Sequence, residues 1–537
     1  MWSQNYTPVA GSLGWSALAA SLPLVVLFYL LAVKRKPAWI SALASLGAGA
    51  LVAAFLYRMP PVAILAAATC GAAFGLLPIG WITFSAILLY RLTVETGQFE
   101  MIKTTLARLT TDRCVQALLV AFAFGAFIEG AAGGGVPVAV GAAILMGLGF
   151  NPLQAASVCL LANTAPVAFA AIGTPTITLA LITGLPLHLV SGVTGRVCAP
   201  LSLCVPAYMT VLVGGRRGLR QTFPAVLVAG VSFAGVQLAV SNLIGPQMAA
   251  LLSSVATMAC LVLLLQVWRP RTGSGDCLPQ TAPALGNAVI WRAWLPYMLL
   301  AACVLIWGLP PVRALLAKTT FVFGWPGLDG QVLRHVPVVA VPEPYPARYQ
   351  LEWLACAGTA SMLACLMAAA SARMPARKFG WVFRQTTRQM ALPLLTIASV
   401  LGLAFVMNYS GATATLGLTL AATAGLFPFF SPMLGWVGVF LTGSDTSSNA
   451  LFGNLQVVTA GRLGLSPVLM AVANSVGGAV GKMISIQSIA IAAAATGMKT
   501  SQESELFRST FRHSVILICA IGLLTVFYAY IEPGWVR

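Results

Sequence analysis

The stretch Phe124-Gly-Ala-Phe-Ile-Glu-Gly-Ala-Ala-Gly-Gly-Gly135 sets an ionisable side chain, Glu129, beside four glycines. It lies in the middle of the apolar segment 115–148, not at its ends, with Pro137 just beyond. A charged group at the bilayer centre costs on the order of 2.5–3.5 kcal/mol even on lenient insertion scales, so such a group faces a cavity and has a function. Irregular backbone at that depth is tolerated only where it lines a cavity or is buried in protein. The segment therefore reads as a re-entrant hairpin over about 115–148 with Glu129 near its tip. Of the twelve acidic residues, only one other lies inside a long apolar segment: Asp445, in Phe440-Leu-Thr-Gly-Ser-Asp-Thr-Ser-Ser-Asn449.

Outward from these two breaks, apolar runs of about 20 residues recur along nearly the whole chain, the length a helix needs to cross the hydrocarbon. The 537 residues are 59% hydrophobic and 8% charged. This is the composition of an all-α polytopic membrane protein, with the lipid bilayer as its surroundings. The formal charge of +18 does not point to nucleic acid, because the basic residues sit in short connections between apolar runs, where they set topology. The eleven cysteines include no C-x-x-C pair and mostly fall within apolar runs, so neither a metal site nor a cofactor is predicted.

Spans are expected at about 13–33, 38–57 and 62–90, with Lys34, Arg35 and Lys36 placing the N-terminus on the outer side. The first span has a polar start and trailing positive charge, so it reads as retained and not as a cleaved leader. The connection 91–113, with Phe99, Ile102, Leu106 and Leu109 at helical spacing, suits an amphipathic helix on the inner face. Segment 153–184 is broken at Asn163-Thr-Ala-Pro-Val-Ala-Phe-Ala-Ala-Ile-Gly-Thr-Pro175, where Pro166, Gly173 and Pro175 loosen or remove backbone hydrogen bonds. Further spans follow at about 187–213, 223–245, 248–268, 293–309 and 351–371. Arg216, Arg217, Arg220, Arg269, Arg271 and Arg292 mark inner turns, and an outer loop covers 310–350.

After the basic turn from Arg373 to Arg388 the earlier pattern returns. Pro393 answers Pro78, Gly411 answers Gly97, Phe440 and Gly443 answer Phe127 and Gly130, and Asn474 answers Asn163, at offsets of 315, 314, 313, 313 and 311. The connection 91–113 carries four basic residues, whereas its counterpart 408–431 carries no charge, so the copies are predicted to be inverted. The organisation expected is N-terminal helices (1–61), a first transport repeat (62–220), intervening helices with the outer loop (221–372), and a second, inverted repeat (373–537) with a hairpin at about 432–463. That amounts to about twelve transmembrane helices plus two re-entrant hairpins, the plan of an inverted-repeat secondary transporter, with both termini outside.

Glu129 can bind and release a proton during transport; the plainer reading is a structural carboxyl pinned by neighbouring amides. Asp445 stands among Ser444, Thr446, Ser447, Ser448 and Asn449, which either line a substrate path or cap helix ends. Lys482, in Gly477-Gly-Ala-Val-Gly-Lys-Met-Ile-Ser485, and Arg196, in Ser191-Gly-Val-Thr-Gly-Arg196, are cations deep in apolar segments and flanked by small residues. Each is a candidate for holding a carboxylate, or else one half of an internal ion pair with Glu129 or Asp445. Asn163, Thr164, Asn474, Ser485 and Gln487 complete the candidate substrate contacts. Gly130, Gly133, Gly135, Gly443, Gly477, Gly478 and Gly481 join Pro166, Gly173 and Pro175 as expected backbone breaks. The glycines before Lys482 do not have P-loop spacing, so ATP-driven transport is not predicted.

At these motifs the sequence resembles the lactate permease family nearly end to end. Asn5-Tyr6, Gly125-Ala-Phe-Ile-Glu-Gly-Ala-Ala-Gly133, Asn163-Thr-Ala-Pro-Val-Ala-Phe169, Gly438-Val-Phe-Leu-Thr-Gly-Ser-Asp-Thr-Ser-Ser-Asn-Ala-Leu-Phe452, Gly481-Lys-Met-Ile-Ser485 and Gln487-Ser-Ile-Ala490 carry the likeness. The resemblance implies proton-coupled uptake of L-lactate, D-lactate or glycolate across the bacterial inner membrane by a carrier that is not an enzyme. A sodium-coupled anion carrier is the alternative, and an intramembrane enzyme with paired acids is the rival from another class. The chain departs from the family pattern at Gly134 (usually Phe), Val136 (usually small) and Ile486 (usually Pro). The first two bear on pocket shape, and the last is expected to remove a helix break.

Overall fold

The computed structural model describes every residue except 108, 269–286, 340, 499 and 537. Arg108, Arg269 and Arg271 thus lie outside the described residues. The chain is a multi-pass helical protein. Among the described residues twelve helices are long and apolar enough to cross a membrane, and one further pair, Pro152–Ala162 with Val167–Thr183, bends by 61° at its break. Helices are the outcome because a segment in hydrocarbon must satisfy its own backbone hydrogen bonds. Peripheral helices such as Leu13–Val33 present Leu18, Leu22 and Val25 outward, whereas Arg113–Ala131 is buried from Cys114 onward. The stretch that looked least like a simple span is therefore the centre of the molecule.

Two helix pairs fold back on themselves. Arg113–Ala131 and Val136–Gly147 are separated by a turn in which Gly133, Gly134 and Gly135 all have positive φ (64°, 66° and 82°). Side chains other than glycine rarely adopt that conformation, which explains the glycine run. Phe427–Thr442 and Asp445–Leu463 are joined through Gly443, also left-handed at φ 72°. The arms of this second pair run antiparallel: Ser448 Oγ donates to the Gly435 carbonyl at 3.2 Å, and Ser431 Oγ donates to Gln456 Oε1 at 2.8 Å.

Each hairpin is followed by a capped helix. Asn151 accepts from the Gln154 amide ahead of Pro152–Ala162, and Ser466 accepts from the Leu469 amide ahead of Pro467–Lys482, both with proline in the first turn. The order of elements also recurs. The interrupted helix Pro61–Glu95, the short helix Gln98–Ala107, a hairpin, a broken helix and the long Leu187–Gln221 come first. Ala376–Ser410, Ala412–Leu420, a hairpin, a broken helix and Thr500–Tyr530 come later.

Gly477, Gly478 and Gly481 are not breaks, contrary to expectation, because they lie inside the continuous helix Pro467–Lys482. A side chain at Gly477 would run into the Pro432 backbone, and one at Gly435 into that of Asn474, so the two helices cross with their backbones in contact. Gly130 likewise sits within a helix and packs on Ala250 and Leu251. Ile486 does not remove a break. The chain still turns at residues 483–485, and Ser485 restarts the helix by accepting from the Ser488 amide. A cap supplies the stop and restart that a proline would have enforced.

The segment 310–350 is a cap on one face, with a short helix Pro310–Ala317 and strands Phe321–Gly324, Val332–Arg334, Glu343–Pro344 and Arg348–Leu351. Trp2–Ser3 pairs in parallel with Val332–Leu333, and Gln4 Nε2 donates to the carbonyls of Asn408 and Tyr409 at 2.9 Å each. The N-terminal segment is thereby fixed to the same face.

Candidate functional site

The breaks converge. Both hairpin tips, the kink of Ala170–Thr183 and the restart at Ile486 surround one cavity of about 470 Å³. Its wall includes Glu129, Gly133–Val136, Ala171, Thr174, Pro175, Thr442–Ser447, Lys482, Gln487 and Ser488. Lys482 Nζ donates to Glu129 Oε1, joining a cation from the C-terminal half of the chain to an acid from the N-terminal half. The Glu129 side chain is fully buried and that of Lys482 is 10% exposed, so water contributes little to either charge. Glu129 Oε2 has no hydrogen-bond partner among the described residues.

Asp445 is held differently. Ser475 Oγ donates to its Oδ2 at 2.8 Å, Asn449 Nδ2 donates to Ser475 Oγ at 3.0 Å, and Asn474 Nδ2 donates to Asn449 Oδ1 at 3.0 Å. Gln456 Nε2 extends the chain to Asn474 Oδ1 at 3.4 Å and to the Ser431 carbonyl at 2.8 Å. All these side chains are buried. Such a network is stable only because its members satisfy one another. Asp445 Oδ1, beside Gly478, is the exception and has no hydrogen-bond partner among the described residues.

Three helix N-termini end at the cavity: Val136–Gly147 after Gly135, Asp445–Leu463 after Ser444, and Ile486–Ala495 after Ser485. Each presents orphan amides and roughly half a positive charge. The amides of Gly134 and Gly135 have no acceptor among the described residues. Opposite them, Ala171, Ile172 and Gly173 form a left-handed turn (φ 42°, 59° and 75°) that meets Gly133. Two of these residues have side chains that disfavour this conformation, so the backbone is strained where it borders the cavity.

The other sequence candidates divide. Ser444, Thr446, Ser447 and Gln487 line the cavity. Ser448, Asn449 and Asn474 stand behind it in the buried network, and Ser485 serves as a cap. Asn163 and Thr164 mark the break after Pro152–Ala162, but Thr164 Oγ1 donates to the Leu161 carbonyl at 2.7 Å and neither residue is on the cavity wall. Arg196 departs most from expectation. Its guanidinium donates to Asn242 Oδ1 at 3.1 Å and to the Trp535 carbonyl at 2.9 Å, away from Glu129 and Asp445. The sequence reading missed Thr83, Thr174, Gln389, Thr396 and Ser488 on the wall. Gln389 and Thr396, two turns apart on one face of a long apolar helix around Pro393, were a visible signal.

Twelve membrane-length helices and a cavity reached by two hairpin tips and three helix N-termini fit a membrane transport protein. The chain belongs to the L-lactate permease family, whose model matches residues 16–532. It is 45% identical over 555 residues to an L-lactate permease of Bacillus subtilis (strain 168), covering 98% of each chain. It is 44% identical over 556 residues to the glycolate permease GlcA of Escherichia coli (strain K12), covering 99% of each. An L-lactate permease of Salmonella typhimurium is 43% identical, over 99% of this chain and 98% of its own.

Proposed function

We propose that the protein takes up L-lactate and related short 2-hydroxy monocarboxylates, D-lactate and glycolate among them, by proton symport across a bacterial inner membrane. The observation that carries this reading is the Lys482–Glu129 pair in a cavity that otherwise favours anions. A substrate carboxylate needs Lys482 and the helix N-termini, yet Lys482 is already engaged by Glu129. If the substrate displaces Glu129, a buried carboxylate is left unpaired, which costs several kcal/mol. A proton on Glu129 removes that cost and frees the ammonium. One anion and one proton therefore load together, and neither is favoured alone. Thr446, Ser447, Gln487 and Ser488 are on the wall to receive the 2-hydroxyl. Asp445 organises the tip of the second hairpin.

The halves act as inverted repeats in this reading, with both termini and the 310–350 segment outside and the basic turns inside. Lys34–Lys36 and Arg373–Arg388 support that orientation. The test is labelled L-lactate uptake into proteoliposomes under an imposed pH gradient, with a sodium gradient as the comparison arm. Glu129→Gln is expected to lose gradient-driven accumulation while keeping counterflow exchange. Full accumulation in both Glu129→Gln and Asp445→Asn would remove the proton assignment, and accumulation driven only by sodium would replace it.

A further inference from the structure

A second and larger cavity, about 840 Å³, opens under the 310–350 cap. This face is opposite to the one the central cavity adjoins. The cap packs on the early part of Pro61–Glu95, where Tyr349 Oη donates to the carbonyls of Ala73 and Leu77 at 3.2 and 2.9 Å. The central cavity shares Ile87, Val136 and Gln389 with an adjoining cavity of about 500 Å³ that reaches Arg91 and Glu95 at the far end of the same helix.

Three arginines line the cap-side cavity: Arg334, Arg348 and Arg462. Of the neighbouring carboxylates, Glu343 is paired with Arg334, and Asp329 accepts from the Ala347 amide at 2.7 Å. Arg334 also lies over the Tyr345 ring, 4.5 Å from its centroid, and its Nε is buried without a partner among the described residues. Arg348 and Arg462 are exposed and have no carboxylate partner among the described residues. The floor holds Asn408 and Asn454, the latter donating to Asn408 Oδ1 at 3.2 Å.

Two helices connect this floor to the central site. Ala170–Thr183 contributes Leu181–Thr183 to the cap-side cavity and Thr174 and Pro175 to the central one. Asp445–Leu463 contributes Asn454 and Arg462 to the first and Asp445–Ser447 to the second. Between them the helices are sewn shut: Asn449 Nδ2 donates to the Pro175 carbonyl at 3.2 Å, and Leu179 packs onto Gly453. The two cavities are thus about 10 Å apart along each helix, at 1.5 Å per residue.

We infer that the cap-side cavity is a reception site for the same short monocarboxylate anions. Arg348 and Arg462 concentrate them there before the seam between the two helices parts. The inference rests on the transport reading above, with the cap on the outer side. Guanidinium groups lining a concave mouth raise the local concentration of a carboxylate. Neither arginine takes part in the Glu129–Lys482 exchange, so their role is capture and not coupling.

The test measures L-lactate uptake by the full-length protein in right-side-out and inside-out vesicles, at low and high ionic strength. For Arg348→Gln/Arg462→Gln, KM for uptake from the cap side is expected to rise about threefold to tenfold at low salt with kcat unchanged. The rise should shrink as salt screens the field. KM from the opposite face should stay at the parent value, and Arg348→Lys/Arg462→Lys should restore the cap-side KM. An unchanged cap-side KM at low salt, or equal rises on both faces, overturns the reception site while the parent's own uptake upholds the transport reading. A parent that takes up no L-lactate overturns the transport reading itself.

Discussion

The two hairpins bring one carboxylic acid each to the same cavity and hold it by opposite means. In the first, the tip is a run of left-handed glycines without hydroxyls, and Glu129 finds its partner in Lys482 from the other half of the chain. In the second, the tip has one glycine and a serine cap, and Asp445 is bound by Ser475 within a side-chain network from its own half, which touches the other half where Asn449 reaches the Pro175 carbonyl. A bond between halves can be exchanged when the halves move or when a ligand competes. A locally satisfied network tends to stay intact. Under the proposed symport, the difference fits change of partner at Glu129 and fixed geometry at Asp445.

The strongest way to break that contrast is to remove the pair. Lys482→Gln is expected to lower uptake at least about 100-fold, since truncating one partner of a buried ion pair costs about 3–5 kcal/mol. In thermal unfolding, Glu129→Gln and Lys482→Gln should each be destabilising, and the double variant should recover much of the loss because no lone charge remains. Strictly additive losses would show that the two side chains do not depend on each other. Next in size are the glycines. Gly477→Ala must push the Pro432 backbone away and is expected to cost about 3 kcal/mol of stability. Gly134→Ala meets no atom within 4 Å and pays only for its positive φ, about 1–2 kcal/mol. Equal losses of melting temperature would contradict the division between a packed crossing and an open tip.

A smaller effect probes the fixed side. Ser475→Ala removes the donor to Asp445 Oδ2, while Oδ1 already lacks a hydrogen-bond partner among the described residues, and should cost about 1–3 kcal/mol. Coupling should persist, so the proton dependence of uptake ought to match that of the parent. If accumulation under a pH gradient vanished instead, Asp445 would share the exchanging role. The smallest effect is expected at Arg196, which serves the C-terminal segment. Arg196→Gln should leave the uptake KM within about twofold, as for substitutions away from a binding site. A much larger rise would return Arg196 to the substrate.

Much of this was legible beforehand because charge in an apolar chain is conspicuous. Glu129, Asp445 and Lys482 stood out by cost alone, and helix turns fall at Gly133–Gly135 and at Gly443, within the glycine-rich runs that hold or border the two acids. Arg196 stood out by the same criterion and misled. Its segment gave no sign that Asn242 and the Trp535 carbonyl come within reach of it. The glycines at 477, 478 and 481 misled for a related reason: the same residue type serves a loosened backbone and a tight helix crossing, and sequence spacing does not separate the two.

By itself, then, the sequence determined that the chain lives in a membrane as a series of apolar helices, and which few polar groups were too costly to bury without purpose. Those follow from the transfer free energy of each residue, which is local. Only the tertiary structure decided that Glu129 and Lys482, 353 positions apart, are hydrogen-bond partners. It alone showed three helix N-termini ending at one cavity and the hydroxyls beyond Asp445 divided between a wall and a scaffold. These depend on how the two halves pack, through backbone contacts at glycines whose partners no local rule can name.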